Sequence, residues 1–299
     1  MKNSTANTAV NEIELKLALP STQIDALFNH PAVTGTAPLK QHLVNTYFDT
    51  PSGDLAKAQI AVRLRQVDHH VLQTVKTAGH GGGGLSSRQE WEWVLTHQQL
   101  DATALRELPP FQGELLSAIE QLAPTLNTDF TRHSWQLTWQ NSHIELVLDN
   151  GEITSGGACA PICEIELELK AGEPEALWSL ALALAESVPL RPSDSSKAAR
   201  GNALAAHHWP LPEASTPSQW LHRATVALDA YHDSGQDAHL VAAQQALSAL
   251  ATHPLLASRL RPTAQQLPTA LNHSGQPSAG YGHAALTLAH RLAGQTTLR

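Results

Sequence analysis

Glu164-Ile165-Glu166-Leu167-Glu168-Leu169-Lys170 alternates charged and apolar side chains with a period of two. A strand places successive side chains on opposite faces, so this stretch reads as a β-strand. Its three glutamates share one side, and Ile165, Leu167 and Leu169 share the other. Glu12-Ile13-Glu14-Leu15-Lys16-Leu17 repeats the pattern near the N-terminus. Glutamate is a poor strand former, and three in a row on one face repel one another. A plain solvent-facing strand would mix in Thr, Lys or Ser. A solvated charged face and a functional one both remain open for a single strand.

Further alternating runs lie outward from these two, at 62–67, 71–77, 88–95, 135–139 and 143–148. Turn-like pieces separate several of them: Pro51-Ser52-Gly53 before Asp54-Leu55, the run Gly79 to Gly84, and Asp149-Asn150-Gly151. Two helices are predicted, one from an N-cap at Ser21 through Phe28 and one from Glu173-Pro174 through Ser187. About eight strands with few helices predict a β-sandwich or a closed barrel.

The other strands carry charge at the same spacing. Arg63 and Arg65 flank Leu64, Lys76 follows Val75, Arg88, Glu90 and Glu92 alternate with Gln89, Trp91 and Trp93, and Arg132 precedes a further run. If these faces all point into one closed barrel, its interior cannot be a dry core, because unpaired buried charge is expensive. It must be a wet tunnel, with cations for an anion and carboxylates for a hard divalent metal. A polyphosphate bound to Mg²⁺ or Mn²⁺ meets both needs.

Composition bounds the rest. The chain has 299 residues, 42% of them hydrophobic and 15% charged, which suits a folded globular protein. Its formal net charge of -8 excludes a general nucleic-acid binder. The longest apolar stretch, 176–188, is broken by Ser179 and Glu186, so no membrane span is expected. The N-terminus has no apolar core of a secretory signal. Cys159 and Cys163 alone make neither a disulfide framework nor a zinc site, and a cytoplasmic location is expected. Every lysine except Lys2 lies between residues 9 and 209, and none lies beyond 213. A proline-bearing stretch at 207–220 reads as a linker, giving a first domain at 9–209 and a second at 213–299.

Glu12-x-Glu14-x-Lys16 resembles the ExExK signature of the CYTH superfamily, the triphosphate tunnel metalloenzymes. The similarity continues in order through Tyr47-Phe48-Asp49-Thr50-Pro51, Val62-Arg63-Leu64-Arg65, Thr74-Val75-Lys76-Thr77 and Arg88-Gln89-Glu90-Trp91-Glu92. It then takes in Phe130-Thr131-Arg132, Ile144-Glu145-Leu146, Asp149-Asn150-Gly151-Glu152-Ile153, the 163–172 stretch and Ser196-Lys197. The resemblance implies an α+β chain built on an eight-stranded antiparallel β-barrel with flanking helices, followed by a small all-α C-terminal region. It implies a metal set of Glu12, Glu14, Asp149, Glu166 and Glu168, with Glu164 on the same face. Lys16, Arg63, Arg65, Lys76, Arg88, Arg132 and Lys197 are implied to grip phosphate, with Lys16 taking part in the chemistry alongside Glu12 and Glu14. Glu90 and Glu92 are implied to orient the cations or a water, while Asp49 and Tyr47 read as structural. The expected reaction is metal-dependent hydrolysis of inorganic triphosphate, as in bacterial inorganic triphosphatases. An organic triphosphate such as thiamine triphosphate or a nucleotide, an adenylyl cyclase activity, and a non-catalytic polyphosphate or nucleotide sensor stay open as alternatives.

The tail shows helical periodicity at 219–231, 238–251 and 284–293. It is similar in position and composition to a shortened, diverged CHAD domain, although it carries only five arginines. Its seven histidines show no ligand spacing and read as surface or packing residues. Gly79 to Gly84 lacks the Lys-Ser/Thr of a P-loop and reads as a hairpin connection.

Overall fold

The computed structural model describes residues 8–296. Ten strands are present: β1 (Val10–Ala18), β2 (Leu39–Asp49), β3 (Ala61–Val67), β4 (His70–Lys76), β5 (His80–Gly82), β6 (Leu85–Leu95), β7 (Ala123–Trp139), β8 (Ser142–Ser155), β9 (Ala158–Ala171) and β10 (Arg191–Pro192). The order β1-β9-β8-β7-β2-β3-β4-β6 closes on itself, because β1 also pairs with β6. Every pairing is antiparallel, which gives the expected eight-stranded barrel, with β10 and β5 as short additions.

Closure is inside-out relative to an ordinary small barrel. Leu15, Leu17, Leu146, Leu148, Ile165 and Leu167 point outward and are fully buried under helices. Burial of each contributes about 1.5–3 kcal/mol, which offsets part of the cost of a charged interior. The covering helices include α5 (Glu175–Ala185), α7 (Pro217–Ser234), α8 (Asp237–Thr252) and α10 (Ala279–Thr296). Before them come α1 (Ile24–Phe28), α2 (Asp54–Lys57), α3 (Ala102–Glu107), α4 (Glu114–Ala118) and α6 (Lys197–Ala206), and α9 (Arg261–Gln266) lies between α8 and α10. A second apolar cluster buries Trp91 and Trp93 of β6 against Leu105, Leu108, Phe111 and Ile119.

Three local expectations change. Ser21 does not cap a helix: it opens a 3₁₀ turn whose cap residue is Pro20, and α1 starts only at Ile24. Asp149-Asn150-Gly151 is no turn but the middle of β8, between Arg132 and Glu164 in the ladder. Gly151 is there because a Cβ would sit 2.1 Å from the Asp129 carbonyl oxygen, a close approach only glycine allows. The irregular connection to the tail ends earlier than 220. Thr216 forms a capping box with Gln219, and Pro217 already occupies the first turn of α7.

The Gly79–Gly84 run is a hairpin, with β5 paired to the start of β6. Helices α7, α8 and α10 join the same apolar cluster as the outer faces of β1, β8 and β9. Among the described residues, no helix is long and apolar enough to cross a membrane.

Candidate active site

Register carries the charged side chains into rows around the barrel. Glu145, Glu168 and Glu14 face one another across β8, β9 and β1, and Glu166 faces Lys16. Arg132, Asp149 and Glu164 form a second row across β7, β8 and β9. Tyr47, Arg63, Thr74 and Glu92 form a third across β2, β3, β4 and β6. Glu12 lies opposite Arg88, and Lys76 opposite Glu90. Apart from Asp149 and Glu164, these inward side chains line a cavity of about 1410 Å³.

Most of the carboxylates already hold a cation. Glu12 accepts from Lys76 at 2.8 and 2.9 Å and from Arg88 at 2.7 Å, and Arg88 reaches Glu14 at 2.7 Å. Arg132 grips Asp149 through two 2.7 Å bonds and Glu166 at 2.9 Å. Lys197, at the first position of α6, places its Nζ among Asp149, Glu164 and Glu166. Lys170 joins Glu168 at 2.6 Å to Glu145 at 3.0 Å. Glu90 lies 3.4 Å from Lys76, and Glu92 accepts from Thr74 at 2.8 Å.

Three cations are different. Lys16 donates to the Ser195 carbonyl at 2.6 Å, Arg65 to Asn45 at 2.8 Å, and Arg63 to Thr74 at 3.3 Å and Tyr47 at 3.5 Å. None of them makes an ion pair among the described residues, although carboxylates line the same cavity. Burial, together with Arg63 and Arg132, lowers Arg65 to about 9. Burial alone would raise the Tyr47 phenol, yet Arg63 and Lys197 bring it below its ordinary value. Around Arg63 and Arg65, which share one face of β3, the cavity therefore has a cation excess that an anion would neutralise.

On β1 and β9 two carboxyls stay shifted upward although cations lie beside them. Burial raises the Glu14 carboxyl, Arg88 offsets this in part, and Glu166 and Glu12 push it further up. Burial likewise raises Glu168 against the pull of Lys170. Oxygen atoms from Asp149, Glu164 and Glu166 all lie within 4.8 Å of one another, an acidic cluster able to hold a metal ion. In this structure the ammonium of Lys197 fills that cluster, with the Phe130 ring centroid 5.1 Å away.

Residues 11–201 match the model of the CYTH domain. The chain belongs to the CYTH family. Over 203 residues this CYTH chain is 38% identical to the inorganic triphosphatase of Haemophilus influenzae, covering 66% of its own length and 56% of that protein's. The match therefore spans little more than half of the curated relative. Among solved structures it is similar to a Hippeastrum protein described as an adenylyl cyclase candidate with a dominant triphosphatase activity. The likeness has 21% identity and a TM-score of 0.50, over 67% of this chain and 98% of that one. At that identity the likeness shows the fold.

Of the candidate metal, phosphate and catalytic residues, all line the cavity except Asp149 and Glu164, which sit behind Lys197. Asp49 is structural: its carboxylate accepts from the backbone of Thr50, Leu55 and Ala56 and so starts α2. Tyr47 does more than pack, since its hydroxyl meets Arg63. Glu145 and Lys170 were missed, although alternation put Lys170 on the Glu164 face. Ser193 to Ser196, between β10 and α6, also line the cavity and carry no sequence signal.

Proposed function

We propose that this CYTH chain hydrolyses inorganic triphosphate to diphosphate and phosphate inside the barrel. The carrying observation is the set Lys16, Arg63 and Arg65: three cations without carboxylate partners among the described residues, lining a cavity that they share with Glu12, Glu14, Glu166 and Glu168. The identity to the Haemophilus influenzae protein supports the same substrate.

Lys16, Arg63 and Arg65 bind the phosphate chain and hold the charge that develops on the leaving diphosphate. Lys76, Arg88, Arg132 and Lys197 complete the grip once substrate competes for their carboxylates. Glu12, Glu14, Glu166 and Glu168 offer the all-oxygen donor set that Mg²⁺ or Mn²⁺ prefers. Asp149 and Glu164 join that set only where Lys197 withdraws. Held there, a divalent ion would supply neutralisation of charge on the phosphate oxygens. Glu90 and Glu92, loosely held by Lys76 and Thr74, orient the water whose oxygen bonds to the terminal phosphorus as the anhydride bond breaks.

We assign the chemistry to residues 9–209, with 213–299 as a helical region packed on the barrel. The two free cysteines support a reducing, cytoplasmic setting, and burial pushes Cys163 up to about 12, which keeps it an unreactive thiol. The test is phosphate release from tripolyphosphate, ATP, thiamine triphosphate and pyrophosphate with Mg²⁺, Mn²⁺ or EDTA. Metal-dependent release from tripolyphosphate well above the others is expected. Release from an organic triphosphate alone would replace the substrate. Tight binding without turnover would make the protein a sensor.

A further inference from the structure

Between β10 and α6 the chain runs Pro192-Ser193-Asp194-Ser195-Ser196, and Lys197 follows directly. This irregular stretch lines the cavity and touches one of its unpaired cations. The Ser195 carbonyl accepts from Lys16 Nζ at 2.6 Å, and the Ser193 N–H donates to the Lys16 carbonyl at 3.1 Å. Its position therefore sets where Lys16 and Lys197 point.

What holds it comes from the C-terminal region. Asp229 lies on α7, is 4% exposed, and turns its carboxylate onto the stretch. Oδ2 accepts from the Ser195 N–H at 3.0 Å, the Asp194 N–H at 3.1 Å and the Ser193 hydroxyl at 3.2 Å. Oδ1 accepts from Nη1 of Arg191, at the start of the same stretch. Burial would raise this carboxyl, yet Arg191 and then Lys16 keep it low and ionised.

Attachment of α7 to the barrel does not need this arrangement. One turn further along the helix, Asp233 accepts three bonds from Arg200 at 3.1, 3.0 and 2.6 Å, and Leu228 and Leu221 are buried in the shared apolar cluster. Asp194 is tied separately, accepting from the Gly84 N–H at 2.6 Å and meeting His222 of α7 at 2.6 Å. Asp229 instead holds the two consecutive backbone N–H groups, of Asp194 and Ser195, that immediately precede the carbonyl holding Lys16.

We infer that Asp229 is a positioning residue for the triphosphate site, by which the C-terminal helical region aims Lys16 and Lys197. This rests on the function proposed above. An error of about an ångström in the aim of a binding group can cost on the order of 100-fold in rate, so a loosened stretch has a measurable effect.

The test uses the full chain with three substitutions: Asp229→Asn, Asp229→Glu and Leu228→Ala. Asn keeps the volume but presents an amide that must donate toward either Arg191 or the two backbone N–H groups, which are donors themselves. At a temperature where all variants are folded by circular dichroism, Asp229→Asn is expected to raise KM for tripolyphosphate about tenfold or more. Asp229→Glu, which restores the carboxylate, is expected to fall between Asn and the parent. Leu228→Ala is expected to lower Tm and leave KM unchanged. KM and kcat within twofold of the parent in Asp229→Asn would overturn the inference. If that variant does not fold, Arg191→Lys is expected to raise KM in the same direction, and an unchanged KM there overturns it. If the parent turns over no triphosphate, the proposed reaction fails by itself. Calorimetric affinity for tripolyphosphate then decides, with a weaker Asp229→Asn supporting the positioning role and an equal one removing it.

Discussion

Nε of Arg65 donates to Oδ1 of Asn45 at 2.8 Å, and this neutral amide is the strongest partner the guanidinium has in a cavity lined with carboxylates. A buried guanidinium left on a neutral acceptor is unfavourable by itself. The arrangement makes sense where an anion completes it. The structure thus separates cations committed to carboxylates from cations held ready.

Arg65→Gln should raise the thermal midpoint of the substrate-free protein, because an unpaired buried charge is removed. It should also weaken tripolyphosphate binding by about 10- to 150-fold, the range for a hydrogen bond to a charged group. Thermal melts with and without tripolyphosphate, together with KM, check both. A variant that binds as tightly as the parent would remove Arg65 from the site.

Lys197→Ala should destabilise the fold by about 3–5 kcal/mol, since Asp149, Glu164 and Glu166 lose their common cation. The emptied cluster should then attract a divalent ion, so Mn²⁺ should raise the variant's Tm more than the parent's. An equal Mn²⁺ effect on both would show that the cluster serves only to hold the lysine.

Burial pushes the Glu12 carboxyl up, but Lys76 and Arg88 outweigh it and hold it at about 2 against an ordinary 4.5. A depressed acid contributes stability that is complete above pH 4.5 and is lost as pH falls through 4.5 toward 2. Glu14 is shifted the other way by burial, so the useful readout is the difference between parent and Glu12→Gln. In EDTA, denaturant unfolding should show the parent's advantage shrinking across that window. A constant difference would mean that Glu12 is not held ionised by its two cations.

Gly151→Ala should cost about 1–3 kcal/mol by denaturant unfolding, because the new methyl meets backbone atoms of Asp129 and Phe130 that cannot move without opening the ladder. Loss of less than a few tenths would show that β7 and β8 are further apart there than the structure has them.

Acidic runs at 12–16 and 164–168 made the barrel and its charged interior legible, because period-two alternation assigns faces without any knowledge of neighbours. Asp149-Asn150-Gly151 misled for the opposite reason. Asp-Asn-Gly is a turn composition, and only the close approach of Phe130 from β7 explains a glycine within a long strand. Asp229 was invisible, since nothing in an amphipathic helix distinguishes one buried aspartate from a solvated one.

By itself the sequence determined which residue types face inward, and therefore that the interior must be wet, cationic and acidic together. Tertiary structure decided which charges neutralise one another. Lys76 and Arg88 meet Glu12, Lys197 meets Asp149 and Glu164, and Lys16, Arg63 and Arg65 are left over. That division depends on strand register and on side chains brought together across long stretches of chain. Alternation is a local property of the backbone, whereas pairing is set by distances that exist only once the barrel has closed.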